Sequence, residues 1–258
     1  MPNQERHINT SLAKALRVLD LFDGNRRELT LTGLAEALGS LPGSIYPILC
    51  TLEQFGYLER DQITKRYRLG LKLLTQANCL LSSLDVREQA KPVLKRLAAE
   101  LAANSHLAVL YGTEVLYLDR EEAAPSVIIS SVIGRRVPCH CTGLGKVFLA
   151  CRPELAQQVL AVTQLPAATR WTITDPEALR VQLRDVLAKG FAVDHEEFHE
   201  GNVCVAAPIR NYRGTVVAAM SVSVIKTRLE YEPLERFTDA VLEGAREVSR
   251  AMGFAGRS

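Results

Sequence analysis

Apolar residues recur with two different periods along this chain, and the change between them divides it in two. Before Asn104, runs such as TSLAKALRVLDLFD place apolar side chains three and four residues apart, which is the spacing of one helix face. After Asn104, short runs rich in β-branched and aromatic residues are typical of strands: HLAVLYG, EVLYLDRE and SVIISSVIG. A chain of 258 residues can therefore hold a helical N-terminal module and a larger α/β domain.

Residues 10–70 follow the order of a winged helix-turn-helix. Predicted helices in TSLAKALRVLDLFD, TLTGLAEALG and PGSIYPILCTLEQFG precede two β-prone pieces around a polar turn. In such a module the third helix enters the major groove of DNA and the hairpin lies near phosphate. Three core helices with a solvated hairpin would give the same pattern. The residues expected at DNA are Ser44, Tyr46, Thr51 and Gln54 on the third helix, and Arg60, Lys65, Arg66 and Arg68 on the hairpin.

The rest of the chain predicts a linker and a second domain. We place the winged helix-turn-helix domain at 1–70, a linker helix at 71–84 and the larger domain at 85–258. Helix-prone stretches begin near residues 142 and 175, the strands NVCVAAPIRN and GTVVAAMSVSVI form a pair, and a helix ends the chain. This order favours an α+β fold with a mainly antiparallel sheet.

Composition excludes some settings and permits others. The net charge of +2 permits nucleic-acid binding without demanding it. There is no signal-peptide pattern at the N-terminus and no apolar run of the length that spans a bilayer, so no membrane role is expected. Six cysteines scattered through a chain of this size predict reduced thiols in the cytoplasm.

The segment TGLGK at 142–146 marks the expected start of a helix, where free backbone N–H groups bind anions. Its glycines would allow close approach of a ligand, or would serve only to pack the turn. Lys146 could pair with a ligand carboxylate or lie in solvent. Ser221 and Ser223 are two apart on a predicted strand and face one side, which is either a pocket or water.

The stretch HEEFH at 195–199 matches H-E-x-x-H, which on a helix supplies two zinc ligands and a general base. Gly190 and Gly201 leave little room for a helix, and no histidine follows, so we predict no catalytic metal and no cofactor. A non-catalytic metal near Asp194, His195 and Cys204 stays open. Cys139 and Cys141 lack the C-x-x-C spacing of structural zinc sites, and His140 between them is expected to make a structural hydrogen bond.

Three stretches together resemble the IclR family of bacterial transcription regulators. They are TLEQFGYLERDQITKRYRLGLKLL, GRRVPCHCTGLGKVFLA at 134–150, and GFAVDHEEFHEGNVCVAAPIRNYRGTVVAAMSVS at 190–223. The resemblance implies a linker helix that transmits a signal and a C-terminal, GAF-like effector-binding domain. It implies dimers that pair into tetramers, a near-palindromic operator and a small-molecule effector such as a carboxylic acid. It also implies that the effector contacts Thr142, Gly143, Leu144, Gly145, Asp194, Cys204, Ser221 and Ser223.

The third helix departs from the family pattern. Family members commonly carry a basic residue at the positions of Gly43 and Pro47, and both are absent here. Pro47 also removes a backbone donor inside the helix, at ~3 kcal/mol where the helix is regular, so the first turns should bend or widen. We therefore predict a ligand-responsive DNA-binding regulator and not an enzyme. Two alternatives remain: a zinc hydrolase using His195, Glu196 and His199, and a ligand sensor without specific DNA binding.

Overall fold

The computed structural model describes residues 8–23, 26–82, 85–123 and 132–256, with the backbone alone at 78–82. The chain divides into two compact units, Met1–Ser83 and Leu84–Ser258, and each is described by itself. No helix within the described ranges is long and apolar enough to cross a membrane.

The N-terminal unit is a helical core with a small hairpin. Asn9 and Thr30 cap the first two helices, since their side chains accept the N–H groups of Leu12 and Gly33. The core is built from one apolar face of each of the first three helices and closed by Tyr67 of the hairpin, which is fully buried. The elements are α1 (Thr10–Asp20), α2 (Leu31–Ala37), α3 (Pro42–Gln54), β1 (Leu58–Arg60), β2 (Tyr67–Leu69) and α4 (Lys72–Ser82).

Helix α3 runs through Pro47 as one continuous helix. Pro42 at its start is in a favourable place, because the first N–H groups of a helix have no intrahelical acceptor. Ile45 and Leu49 are fully buried against α1 and α2, and this packing holds the helix despite the donor lost at Pro47.

The C-terminal unit is built on one six-stranded sheet with the order β5-β4-β3-β8-β7-β6, antiparallel at every pairing among the described residues. This confirms the predicted α+β class. Its elements are α5 (Asp85–Leu101), β3 (Asn104–Tyr111), β4 (Glu114–Glu121), β5 (Arg136–Pro138), α6 (Gly143–Cys151), α7 (Pro153–Val159), α8 (Pro176–Lys189), β6 (Ala192–His195), β7 (Asn202–Arg210), β8 (Val216–Ile225), a 3₁₀ turn (Lys226–Glu230) and α9 (Leu234–Ala251).

Both faces of the sheet are covered. Helices α5 and α9 pack on one face, where apolar residues such as Leu107, Val205 and Met220 point. Helices α6, α7 and α8 pack on the other face, against Ala108, Ala206 and Ala219. Neighbouring residues of a strand point to opposite faces, so small alanines under α6 bring this helix close to the sheet.

Some local expectations differ from the structure. Most of the predicted strand SVIISSVIG lies outside the described residues, and the edge strand β5 follows it. The helix-prone stretch from residue 142 is broken at Arg152, because Pro153 begins a new helix there.

Candidate functional site

A cleft opens between the start of α6 and the face of the sheet beneath it. Its interior is narrow, about 20 Å³, and opens to solvent on one side. Its walls include most of the predicted effector residues: Thr142, Gly143, Leu144, Asp194, Cys204, Ser221 and Ser223. The remaining lining residues were not predicted: Tyr117, Arg135, Val137, Phe198, His199 and Asn202.

The floor of the cleft is a polar row across three neighbouring strands. Asp194 on β6 lies opposite Cys204 on β7, which lies opposite Ser223 on β8. The Cys204 Sγ is 2.9 Å from the Ser223 Oγ, and Asn202 donates to the same sulfur at 2.9 Å. Ser221 and Ser223 therefore face the cleft and not water, because cross-strand partners share one face of a sheet.

The start of α6 forms the opposite wall. Thr142 caps the helix, since its Oγ1 accepts the Gly145 N–H at 3.2 Å and donates to Pro138 O at 2.7 Å. The amides of Gly143 and Leu144 belong to the first turn, whose N–H groups point out along the helix axis with partial positive charge. The cleft therefore meets a helix end suited to an anion.

The two glycines of this turn serve close packing. A Cβ on Gly145 would lie 2.3 Å from the Cα and the carbonyl O of Cys139, so only glycine fits there. A Cβ on Gly143 would lie 3.3 Å from the Ala206 Cβ. Gly145 does not line the cleft, whereas Gly143 does.

The surroundings of Asp194 disfavour the ionised form of its carboxyl group. It is 2% exposed, and burial raises the pKa of its carboxyl to about 7 despite the nearby Lys146 ammonium. The Glu197 backbone N–H donates to its Oδ1 at 2.7 Å. Near neutral pH a large fraction of Asp194 is therefore a protonated donor. Burial also raises the pKa of the Cys204 thiol to about 12 and that of the Tyr117 phenol, so both stay neutral.

An aromatic and cationic wall closes the cleft on the side of residues 196–201. The Arg135 guanidinium lies 5.9 Å from the centre of the Phe198 ring. Burial and the nearby Arg135 charge lower the pKa of His199, so its imidazole is neutral around pH 7. Both Arg135 and Phe198 lie within the quoted IclR-like stretches. That position was the only sequence feature that pointed to them as cleft residues.

Lys146 behaves in neither of the two predicted ways. Its side chain is fully buried, and its Nζ lies 2.5 Å from Glu197 Oε1, 2.5 Å from Val193 O and 3.1 Å from Gln182 Oε1. It therefore pairs inside the protein and not with solvent or with a ligand. The reason is the tight approach of α6 to the sheet, which places its first turn over β6.

The HEEFH stretch is not a helix, and the zinc-hydrolase alternative is wrong. His195 is the last residue of β6, and residues 196–201 form a turn in which Glu196 has a φ of 64°. Glu196 is tied to Lys226, and the His195 side chain is 56% exposed. Two histidines on one helix face, which the zinc motif requires, do not exist here.

The Cys139–Cys141 segment is structural. His140 Nε2 lies 2.8 Å from Pro166 O, which confirms the expected structural hydrogen bond. Burial raises the pKa of both neighbouring thiols to about 12. Among the described residues, no group of three or more histidine, cysteine or acidic side chains could hold a metal ion.

The third helix of the N-terminal unit carries four of the side chains predicted to contact DNA. Ser44, Tyr46, Thr51 and Gln54 are all exposed on α3. The Ser44 hydroxyl donates to Leu41 O at 2.8 Å, and the Thr51 hydroxyl donates to Pro47 O at 2.9 Å, so both bond to the backbone of their own helix.

The hairpin cations fall into two groups. Lys65 and Arg66 are exposed near its tip, and Lys65 adopts a φ of 59°. Arg68 pairs with Glu59 at 3.0 Å, and the half-buried Arg60 lies 5.3 Å from the centre of the Tyr67 ring. Lys65 and Arg66 are therefore better placed to contact phosphate than Arg60.

Comparison with known proteins agrees with this architecture. Residues 11–62 match the IclR helix-turn-helix domain, and residues 78–250 match the bacterial transcriptional regulator IclR C-terminal domain. The chain is 33% identical to the HTH-type transcriptional regulator XynR of Escherichia coli, over 96% of this chain and 98% of XynR. It is 34% identical to the regulator BhcR of Paracoccus denitrificans, over 94% of this chain and 87% of BhcR.

A solved structure shares the fold over nearly its whole length. It is an IclR homologue from Microbacterium hydrocarbonoxydans complexed with 4-hydroxybenzoate, with a TM-score of 0.84 and 27% identity, covering 94% of this chain and 98% of that one. Both domains of the family are thus matched in order along one chain, and the sheet and the helix-turn-helix agree with them. This protein is a member of the IclR family of bacterial transcriptional regulators and not an enzyme.

Proposed function

We propose that this regulator binds a small carboxylic acid in the cleft and thereby changes its affinity for a near-palindromic operator. Two sets of hydrogen-bond donors face each other across the cleft, and this arrangement carries the proposal. The amides of Gly143 and Leu144 lie on one side, and the neutral acid of Asp194 with the Ser221 and Ser223 hydroxyls lies on the other. Donors from both sides favour an anionic group between them.

The apolar lining indicates what accompanies the carboxylate. Tyr117, Val137, Leu144 and Phe198 provide an apolar and partly aromatic wall beside the donors. An acid with a compact apolar or aromatic body fits this lining better than a sugar or a nucleotide. The homologue that holds 4-hydroxybenzoate makes that acid a reasonable first probe.

The N-terminal unit supports dimerisation. Leu12 and Phe55 are exposed and line an apolar groove between α1 and the end of α3, together with Ala15, Ile48 and Leu52. A second copy covering this groove would place two α3 helices in successive major grooves.

We extend the proposal to a GAF-like sensor domain at 85–258, transmission through the linker helix at 71–84, pairing of dimers into tetramers, and a cytoplasmic location.

A sensor without specific DNA binding remains the second candidate. It is favoured by the absence of a basic side chain at Gly43 and Pro47, and by the self-bonded hydroxyls of Ser44 and Thr51. Tyr46 and Gln54 are then the main candidates for contact with base edges.

Two experiments test these proposals. A thermal-shift screen of small acids should find a ligand that raises the unfolding temperature, because a ligand of the folded state alone stabilises it. Selection of bound duplexes from a random DNA pool should enrich a palindrome. No enriched palindrome, with unchanged non-specific binding after Arg66→Ala and Arg68→Ala together, would favour the bare sensor.

A further inference from the structure

The buried Lys146 ammonium joins four parts of the C-terminal unit. It stands on the first turn of α6, contacts Gln182 of α8 and the Val193 carbonyl of β6, and forms an ion pair with Glu197 in the 196–201 turn. An ammonium has three N–H donors, and these contacts use all of them. A buried charge with every donor used is rigidly placed.

Glu197 is fixed by its backbone as well as by its side chain. Its N–H donates to Asp194 Oδ1 at 2.7 Å, and its carbonyl accepts the Thr172 hydroxyl at 2.6 Å. The carbonyl of Glu196 accepts the Thr169 hydroxyl at 2.7 Å. Glu196 itself adopts a left-handed backbone conformation, which a non-glycine residue keeps only when its surroundings impose it. The turn is therefore held at several points.

Both ends of this ion pair border the cleft. Gly143 and Leu144, in the same first turn as Lys146, form one wall, and Phe198 directly after Glu197 forms another. We propose that Lys146 and Glu197 are the positioning pair of the effector cleft, which holds its two walls at a fixed separation and keeps Asp194 aimed at the ligand. This proposal rests on the proposed function for the identity of the ligand, but the contacts of the ion pair are present without a ligand.

The charges of the pair also act on Asp194. The Lys146 ammonium lowers its pKa and the Glu197 carboxylate raises it, while burial is the larger effect. Lys146 thus favours the ionised form of the Asp194 carboxyl group, and Glu197 favours its protonated form. The other titratable groups that face Asp194 or share its cleft are Cys141, Cys204, Tyr117, Arg135 and His199.

The first experiment titrates Asp194 in the ligand-free full-length protein, by the pH dependence of its carboxyl ¹³C NMR shift. Glu197→Gln keeps an oxygen for Lys146 but removes the negative charge, so the Asp194 midpoint should fall by about one pH unit or more. Lys146→Met should move the midpoint upward. Glu200→Gln is the matched control, because Glu200 lies on the same turn but is exposed and pairs loosely with Arg170.

The second experiment measures hydrogen exchange of the backbone amides at 196–201. Exchange in Glu197→Gln should be at least about tenfold faster than in the wild type, and Glu200→Gln should leave it unchanged. Equal Asp194 midpoints in the wild type and Glu197→Gln, or unchanged exchange in Glu197→Gln, would overturn the proposal even if Lys146→Met failed to fold.

The third experiment uses 4-hydroxybenzoate as the probe and measures its Kd at pH 7.5 by calorimetry. Glu197→Gln should bind it about tenfold more weakly than Glu200→Gln, because Asp194 then carries its charge more often. Equal affinity of the two variants would count against the positioning pair. Absence of binding to the wild type would instead count against the proposed ligand class, and the first two experiments would still decide on the pair.

Discussion

The neutral form of Asp194 gives the sharpest prediction about ligand binding. If the protonated carboxyl donates to a bound carboxylate, ionisation of Asp194 removes a donor and places two negative charges side by side. With a pKa of about 7, Asp194 is mostly protonated at pH 6 and mostly ionised at pH 8. We therefore expect the Kd of a small carboxylic acid to rise about tenfold from pH 6 to pH 8, or about 1.4 kcal/mol of binding free energy.

Asp194→Asn isolates this effect. Asparagine keeps an oxygen for the Glu197 N–H and an N–H donor for the ligand, but it does not titrate. Its Kd should lie within about threefold of the wild-type value at pH 6 and stay constant up to pH 8.5. Calorimetric titration with 4-hydroxybenzoate measures both curves, and Asp185→Asn, at an exposed position on α8, is the control. An equally flat wild-type curve, or an equally steep curve for Asp194→Asn, would show that the proton on Asp194 does not control ligand binding.

Three further outcomes follow from the same contacts. Gly145→Ala should lower the free energy of unfolding by about 3 kcal/mol or more in chemical denaturation, because its Cβ would meet the Cys139 backbone; a loss below about 1 kcal/mol would contradict this. Lys65→Ala with Arg66→Ala should reduce the slope of log K against log salt for DNA binding by about 2, and an unchanged slope would remove both from the phosphate contacts. Because folding raises the Asp194 pKa to about 7, the folded state holds a proton that the unfolded state releases between about pH 4 and 7. Wild-type stability should fall across that window relative to Asp194→Asn, by on the order of 4 kcal/mol, and parallel stability curves for the two proteins would contradict it.

Much of the fold was accessible from the sequence because local patterns carried it. The helical spacing before Asn104 and the β-rich runs after it gave the element order. The two-residue spacing of Ser221 and Ser223 likewise predicted that they share a face. The spacing alone does not tell which face of the sheet the two serines share. That face follows from their pairing with Ala206 and Cys204, which joins residues far apart in sequence.

The parts that escaped prediction depend on long-range packing. A lysine is rarely buried, so Lys146 looked like a surface or ligand-binding residue until the sheet and α8 were placed around it. The reason for Gly145 is the Cys139 backbone beside it, which no local pattern contains. Arg135 and Phe198 reach the cleft from irregular segments, where periodicity gives no direction for the side chain.

If a carboxylic acid in this cleft changes DNA affinity, linkage requires that the acid bind the two DNA-binding states unequally. The most direct test measures operator binding by fluorescence anisotropy with and without the acid, using the duplex enriched by selection. The wild type should change its operator Kd by about fivefold or more on saturation, and Ser221→Ala with Ser223→Ala should lose that response while keeping the ligand-free Kd. A double variant that responds as fully as the wild type would place the effector outside this cleft.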